Sequence, residues 1–168
     1  MKTLGANSVL KSRNLLGRRV VNRQDARSLG RVKNILVNPD KRSAEAIIIP
    51  AGNVWYAPLW LGFAAVTSAG EDILFVDFQD EPKSIRQLPP HLKKDCILVT
   101  KLWGAEVFSS KGKLLGSVAD VFLKIPEGQF SGLEISHGYL DDIIHGRRLL
   151  AADEIQIISV DAVIVNGS

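Results

Sequence analysis

Apolar residues fall along this chain in short bursts, each closed by a cluster of Gly, Pro, Asn, Asp or Ser. That is the pattern of short strands rather than of amphipathic helices. Residues 15–22 read as a strand, followed by the turn-prone Gln24-Asp25-Ala26-Arg27-Ser28. Residues 30–37 read as a second strand, ended by Asn38-Pro39-Asp40-Lys41-Arg42-Ser43, where Asn, Pro and Asp each favour a different turn position. Residues 44–49 hold three consecutive isoleucines and suit a strand covered on both faces. After an aromatic loop around Trp55-Tyr56-Ala57-Pro58 come a short strand near Ala65-Val66-Thr67, a Gly70-Glu71-Asp72 turn, and a strand over 73–78. No helix is expected between Leu15 and Phe78. Residues 1–13 carry little pattern and read as an extended arm or a frayed start. Residues 79–95, with Asp80-Glu81-Pro82-Lys83 and Leu88-Pro89-Pro90-His91, read as a linker whose prolines disfavour helix and ladder alike.

From Ile97 the same pattern returns. Gly17 and Val20 recur as Gly104 and Val107 at one constant spacing. After a one-residue deletion in the next turn, Gly30, Val32, Ile35 and Val37 recur as Gly116, Val118, Val121 and Leu123. Ile47 and Ile49 recur as Leu133 and Ile135, and Asp72-Ile73-Leu74-Phe75-Val76 is echoed by Asp161-Ala162-Val163-Ile164-Val165. Two copies at so long a period mean a duplicated domain rather than a solenoid. The expected architecture is all-β, with two tandem small β-barrels: unit 1 over 14–78, a proline-containing linker over 79–96, and unit 2 over 97–166. Closure of each unit is expected because open strand edges invite association. The recurring glycines mark either bulges at barrel corners or turn positions with positive φ. Arg18 and Arg19 become Ala105 and Glu106 in the second copy, so the fold does not require their charge.

A strand of the form L-x-G-x-x-V, a turn, G-x-V, a Pro/Asp/Gly hairpin and a closing D-x-x-x-V strand resembles the PRC-barrel domain. Gly17, Val20, Gly30, Val32, Pro58, Asp72 and Val76 carry the likeness in unit 1, and Gly104, Val107, Gly116, Val118, Asp161 and Val165 in unit 2. PRC barrels occur in the H subunit of photosynthetic reaction centres and in the C-terminal half of RimM-type ribosome maturation factors. Neither the N-terminal membrane helix of the first nor the distinct N-terminal barrel of the second is expected from this sequence. It is more similar to tandem PRC-barrel proteins of bacteria. The resemblance implies barrels of about six strands that dock onto partners, with no enzymatic activity and no cofactor.

Composition changes this picture little. With 46% hydrophobic and 23% charged residues the chain is ordinary globular protein. The single cysteine, Cys96, excludes an internal disulfide and reads as a small buried apolar residue. Nothing at the N-terminus resembles a secretory signal, so the expected location is cytoplasmic. Residues 46–70 contain no charge, but Pro50, Gly52, Pro58 and Gly62 argue against a membrane span. Charge is more informative. The net value is +3, yet the first fifty residues hold eleven Lys and Arg against three acidic residues, and the remainder ten against fifteen. Such a cluster suits RNA, anionic lipid, an acidic protein or the acidic half of the same chain.

Candidate chemistry is sparse. Asp141, Asp142 and His145 sit together in His137-Gly138-Tyr139-Leu140-Asp141-Asp142-Ile143-Ile144-His145, where i, i+3 and i+4 spacing on a helical turn suits a divalent metal. No further ligand follows, and the same residues read better as a polar turn with acidic groups near a helix start and His145 and Arg147 near its end. No metal site and no catalytic residue is therefore expected. Neither a nucleophile–base pair nor a phosphate-loop spacing is present. Two interaction surfaces remain. Trp55, Tyr56, Trp60 and Phe63 crowd one loop and serve either as core or as a partner-binding face. Arg18, Arg19, Arg23, Arg27, Arg31 and Lys33 line the first hairpin and serve either to bind phosphates or to guard a strand edge. The first expectation is a non-enzymatic adaptor for a protein partner. An RNA- or ribosome-associated assembly factor using the basic hairpin is the alternative, and a peripheral factor on anionic membranes a third. Self-association into a homo-oligomer fits the first.

Overall fold

The computed structural model describes residues 8–52, 55–78 and 81–167; residues 1–7 of the expected arm and Gln79 and Asp80 of the linker fall outside these. The chain opens with β1 (Ser8–Lys11) and one helical turn, α1 (Ser12–Leu15). Unit 1 follows as β2 (Arg19–Asn22), β3 (Ser28–Arg31), β4 (Asn34–Asn38), β5 (Ser43–Ile49), β6 (Leu59–Gly62), β7 (Val66–Ala69) and β8 (Ile73–Val76). The connector holds β9 (Lys83–Ser84) and α2 (Pro90–Asp95). Unit 2 comprises β10 (Ile97–Leu98), β11 (Glu106–Ser109), β12 (Leu114–Ile125), β13 (Phe130–Ser136), α3 (Tyr139–His145), β14 (Arg148–Ala151), β15 (Ile155–Ile158) and β16 (Ala162–Val165).

The two units share one plan, as the repeat predicts. In unit 2 the strands run β14-β13-β12-β11-β16-β15, with β11 and β16 parallel. In unit 1 the order is the same, with β2 and β8 parallel and the long third strand divided into β3 and β4 around Val32. The protein is thus all-β and carries two small barrel units in tandem. In each unit a 3-10 turn, Phe63–Ala65 or Ala152–Glu154, links the two end strands of the ladder. Both readings of the glycines hold, at different positions. Gly17 and Gly104 occupy turns at φ +82° and +87°, each donating its N–H to the carbonyl of Val32 or Val118 at 2.8 Å. Gly30 and Gly116 sit at bulges opposite Val20 and Val107.

The units are not independent beads. The arm β1 leaves unit 1 and pairs antiparallel with β12 of unit 2, Leu10 opposite Leu123. The short strand β10, its counterpart, pairs with β4 of unit 1, Ile97 opposite Val37. Each unit therefore lends its first strand to the other. At the centre of this exchange Ser43 bridges its own repeat equivalent, Gln129. Around that pair the Ala44 N–H donates to the Gly128 carbonyl and the Phe130 N–H to the Arg42 carbonyl, both at 2.8 Å. These reciprocal bonds mark a pseudo-two-fold axis. Arg42 holds the left-handed conformation at φ +52° that Gly128 holds at +78°, and its guanidinium crosses to the carbonyls of Ala152 (2.9 Å) and Ile155 (2.6 Å). A continuous apolar core runs through the axis, from Val20, Ile35 and Ile47 to Val107, Val121 and Leu133.

The connector departs from the stiff, structureless linker of the sequence reading. Pro90 occupies the first helical position, where its missing N–H is no loss. Leu88, Leu92 and Cys96 then fall one turn apart and cover Leu36, Ala46 and Ile48 on the outer face of β4 and β5. Burying each leucine contributes about 1.5–3 kcal/mol, enough to hold the segment down. Among the described residues unit 2 has no such helical cover. Its equivalent positions are Phe122, Gly132 and Glu134, and Glu134 takes Lys11 at 2.7 Å and Arg147 at 3.1 Å instead.

Candidate functional site

The four aromatic candidates separate. Phe63, turned inward by the 3-10 turn after β6, is 2% exposed and belongs to the shared core. Trp60 lies half-buried against the outer cluster that α2 covers. Trp55 and Tyr56, on the β5–β6 connection, are 87% and 71% exposed. The structure therefore keeps two of the four together as a surface feature.

The basic hairpin is largely engaged at home. Arg18 donates to the carbonyls of Asn14 and Gly70; burial draws its guanidinium below its ordinary value, with Asp72 and Glu71 acting against it. Arg27 grips Glu81 through one nitrogen at 2.7 and 2.9 Å, and that bond raises its value, burial opposing and Asp25 adding to it. Arg31 donates to the Gly17 carbonyl at 2.8 Å, and Arg23 lies 5.2 Å over the Phe75 ring. Arg19 and Lys33 point outward as exposed residues. Lys11, Arg13 and Arg42, outside the hairpin, all turn to unit 2.

The Asp141, Asp142 and His145 group is divided by the helix that carries it. His145 Nδ1 lies 2.9 Å from Asp141 Oδ1 on the exposed side. Asp142 faces the barrel, accepting from the Ser136 hydroxyl at 2.5 Å, the His137 N–H at 2.9 Å and Arg147 Nε at 3.3 Å. Among the described residues no three acidic, His or Cys side chains are arranged to hold a metal. The hydrogen bond from Ser136, then that from the His137 N–H, keeps Asp142 below the usual carboxylate range, with Arg147 helping and desolvation opposing. A carboxylate depressed in the folded state adds stability above its unfolded value, about 4, and loses it as pH falls through the lower folded value. Amide exchange in α3 should therefore accelerate on acidification below about pH 4 while the barrels stay protected. Asp142→Asn should show fast exchange at every pH.

The sequence reading passed over the apolar face of this same helix. Tyr139, Leu140, Ile143 and Ile144 are 65–82% exposed, and Leu149 on β14 is 64% exposed. The signal was present in the i, i+4 pairs Tyr139–Ile143 and Leu140–Ile144, bracketed by Gly138 and Gly146. Burial and then Glu45 and Asp95 push the Cys96 thiol up, Lys41 opposing, so it stays a protonated, apolar filler.

The chain is thus a doubled small barrel built on one shared apolar core, with exposed aromatic and basic side chains on its loops and edges. The PRC-barrel domain model matches the chain twice, over residues 8–81 and 95–168, and the chain belongs to the PRC-barrel domain family. Each match begins with the exchanged arm strand. Domains of this family serve in general as interaction and assembly modules without catalysis of their own. No curated protein matches the chain in sequence. Among the described residues no helix is long and apolar enough to cross a membrane.

Proposed function

We propose that this protein is a non-enzymatic adaptor that docks a protein partner through the Trp55–Tyr56 tip of unit 1. The observation that carries this reading is the exposure of two large aromatics, 87% and 71%, in a unit whose other large apolar side chains, among the described residues, are buried or half-buried. Rigid aromatics displayed at a surface supply contact area at little conformational cost and dominate protein interfaces. The internal engagement of Arg18, Arg27 and Arg31 supports a protein over RNA as the partner, because those guanidiniums would first have to leave carbonyl and carboxylate acceptors. Affinity capture from the native cytoplasm tests it. The expected result is one protein partner retained with little change between about 50 and 200 mM salt, a range that strips phosphate-driven complexes. Trp55→Ala with Tyr56→Ala should weaken that capture about 30-fold or more. RNA or ribosomal components that leave steeply with salt, and that depend on Arg19 and Lys33 instead, would overturn the reading.

A further inference from the structure

The two units differ at one place in a way that the fold itself makes informative. In unit 1 strand β6 is not a sheet edge: β9 adds to it antiparallel, Trp60 opposite Lys83 and Leu59 opposite Ser84, and the Ile85 N–H donates to the Pro58 carbonyl at 2.7 Å. In unit 2 the equivalent strand, β14, ends the described sheet. Its Ala151 N–H is taken by Glu154 Oε2 at 2.9 Å, so that group points away from β13. Backbone polarity alternates along a strand, which places the N–H and C=O of Leu149 on the same outward side. An open pair of backbone groups therefore lies beside the exposed Leu149 side chain, on the strand that directly follows a helix whose Tyr139, Leu140, Ile143 and Ile144 face solvent. Open edges and contiguous apolar patches of this kind are the two usual signs of an association surface.

We infer that β14 and α3 form a self-association surface, and that its occupant is a second copy of this chain paired antiparallel about a two-fold axis through Leu149. Unit 1 shows that this position of the fold accepts an antiparallel strand. The charges around β14 are self-complementary in that orientation. Its N-terminal end carries Arg148 and its C-terminal flank Asp153 and Glu154, while Arg147 is held within the chain by Glu134 and Asp142, so the two-fold turns Arg148 of each copy toward the acidic flank of the other. Within one chain Arg148 reaches Glu154 only at 4.0 Å, which leaves it disposed toward a better partner. Leu149 then stands opposite its own copy, both N–H···O bonds are exchanged, and the two α3 faces cover one another. An isologous contact of this kind closes and does not propagate into a fibre. It involves unit 2 alone, leaving the Trp55–Tyr56 tip clear.

Sedimentation velocity of the full chain over a concentration series tests the inference. The expected result is a dimer that dissociates to the single chain on dilution. Leu149→Pro removes the outward N–H without touching the β13 ladder, and Ile144→Asp places a charge in the apolar face; each should raise the dimer dissociation constant about tenfold or more. Arg148→Glu should weaken the dimer as well, and Asp153→Arg added to it should restore it. Circular dichroism of each variant checks that the barrels remain folded, and Ile144→Asp alters no ladder, so the test survives a failure of Leu149→Pro to fold. A chain monomeric at every concentration, or a dimer that either Ile144→Asp or a folded Leu149→Pro leaves intact, overturns the inference. A monomer that floats with phosphatidylglycerol vesicles overturns it also and assigns the face to lipid.

Discussion

Phe63→Ala is expected to cost about 3–5 kcal/mol and to weaken both units together rather than unit 1 alone. The ring leaves unit 1 at the turn after β6 and meets the backbone of unit 2 at Gly128. A side chain at Gly128 would stand 2.8 Å from Phe63 Cδ1 and 3.0 Å from the Ala44 carbonyl oxygen. Removing the ring opens a cavity beside the pseudo-two-fold axis, where neither barrel can collapse without disturbing the Ala44–Gly128 bond. Because the core is continuous across the axis, the loss is shared. Chemical denaturation should remain a single transition with a lower midpoint, and amide protection should fall in β5 and β13 alike. A variant that loses protection in unit 1 while unit 2 keeps its own would show that the units are independently stable, and would sink the shared core. Gly128→Val is the complementary change. It forces a β-branched residue to φ +78° and overfills the same contact, so it should destabilise by more than about 2 kcal/mol.

Why the sequence revealed two units but not their coupling follows from what strand patterns encode. Alternation, turn residues and the repeat are local or periodic, and they placed β5, β7, β8 and the duplicated plan correctly. Pairing partners are not local. Ser8-Val9-Leu10-Lys11 reads as an extended stretch, yet nothing within it says that its ladder lies on β12 rather than in its own unit. The helical turn at Ser12–Leu15 straddles the expected arm and the expected strand, because its only buried members, Ser12 and Leu15, leave no longer period to detect. In the connector, Pro89 and Pro90 drew attention as breakers and hid the i, i+4 spacing of Leu88, Leu92 and Cys96, which is a covering face. At the surface, composition found the aromatic loop but not its division. Phe63 is lost to the core because a 3-10 turn reverses the chain there, and such a turn leaves no periodic trace. The guanidiniums of the first hairpin looked available because the carbonyls that hold Arg18 and Arg31 belong to the backbone and are the same in any sequence.

The arm exchange itself is most exposed to test at Asp120, whose side chain is fully buried where β12 receives α1. Its Oδ1 accepts from the Ser12 hydroxyl at 2.5 Å, the Arg13 N–H at 3.3 Å and the Val121 N–H at 2.8 Å. Ser12 in turn accepts from Trp103 Nε1 at 3.2 Å, and the Arg13 guanidinium lies 3.7 Å over the Trp103 ring. Asp120→Ala strands the Val121 N–H and the Ser12 hydroxyl in a buried place, and is expected to cost about 2–4 kcal/mol. The repeat supplies its own control. The equivalent of Asp120 in unit 1 is Asn34, whose Oδ1 accepts the Ile35 N–H at 2.9 Å while its Nδ2 donates to Thr100, the equivalent of Arg13, at 2.9 Å. An amide thus performs the same docking task on the other side of the axis. Asp120→Asn should accordingly keep the Val121 and Ser12 bonds and cost less than about 1.5 kcal/mol. Urea denaturation of the two variants beside the parent protein measures the difference. Equal losses would mean that the arm is held by the charge of Asp120 opposite Arg13, at 3.8 Å, and not by the hydrogen bonds. A larger loss for alanine would place the docking in geometry that both units share, with the carboxylate an accident of one copy. In Asp120→Ala the loosened arm also bares the edge of β12 over residues 122–125, so faster exchange there should accompany the lost stability.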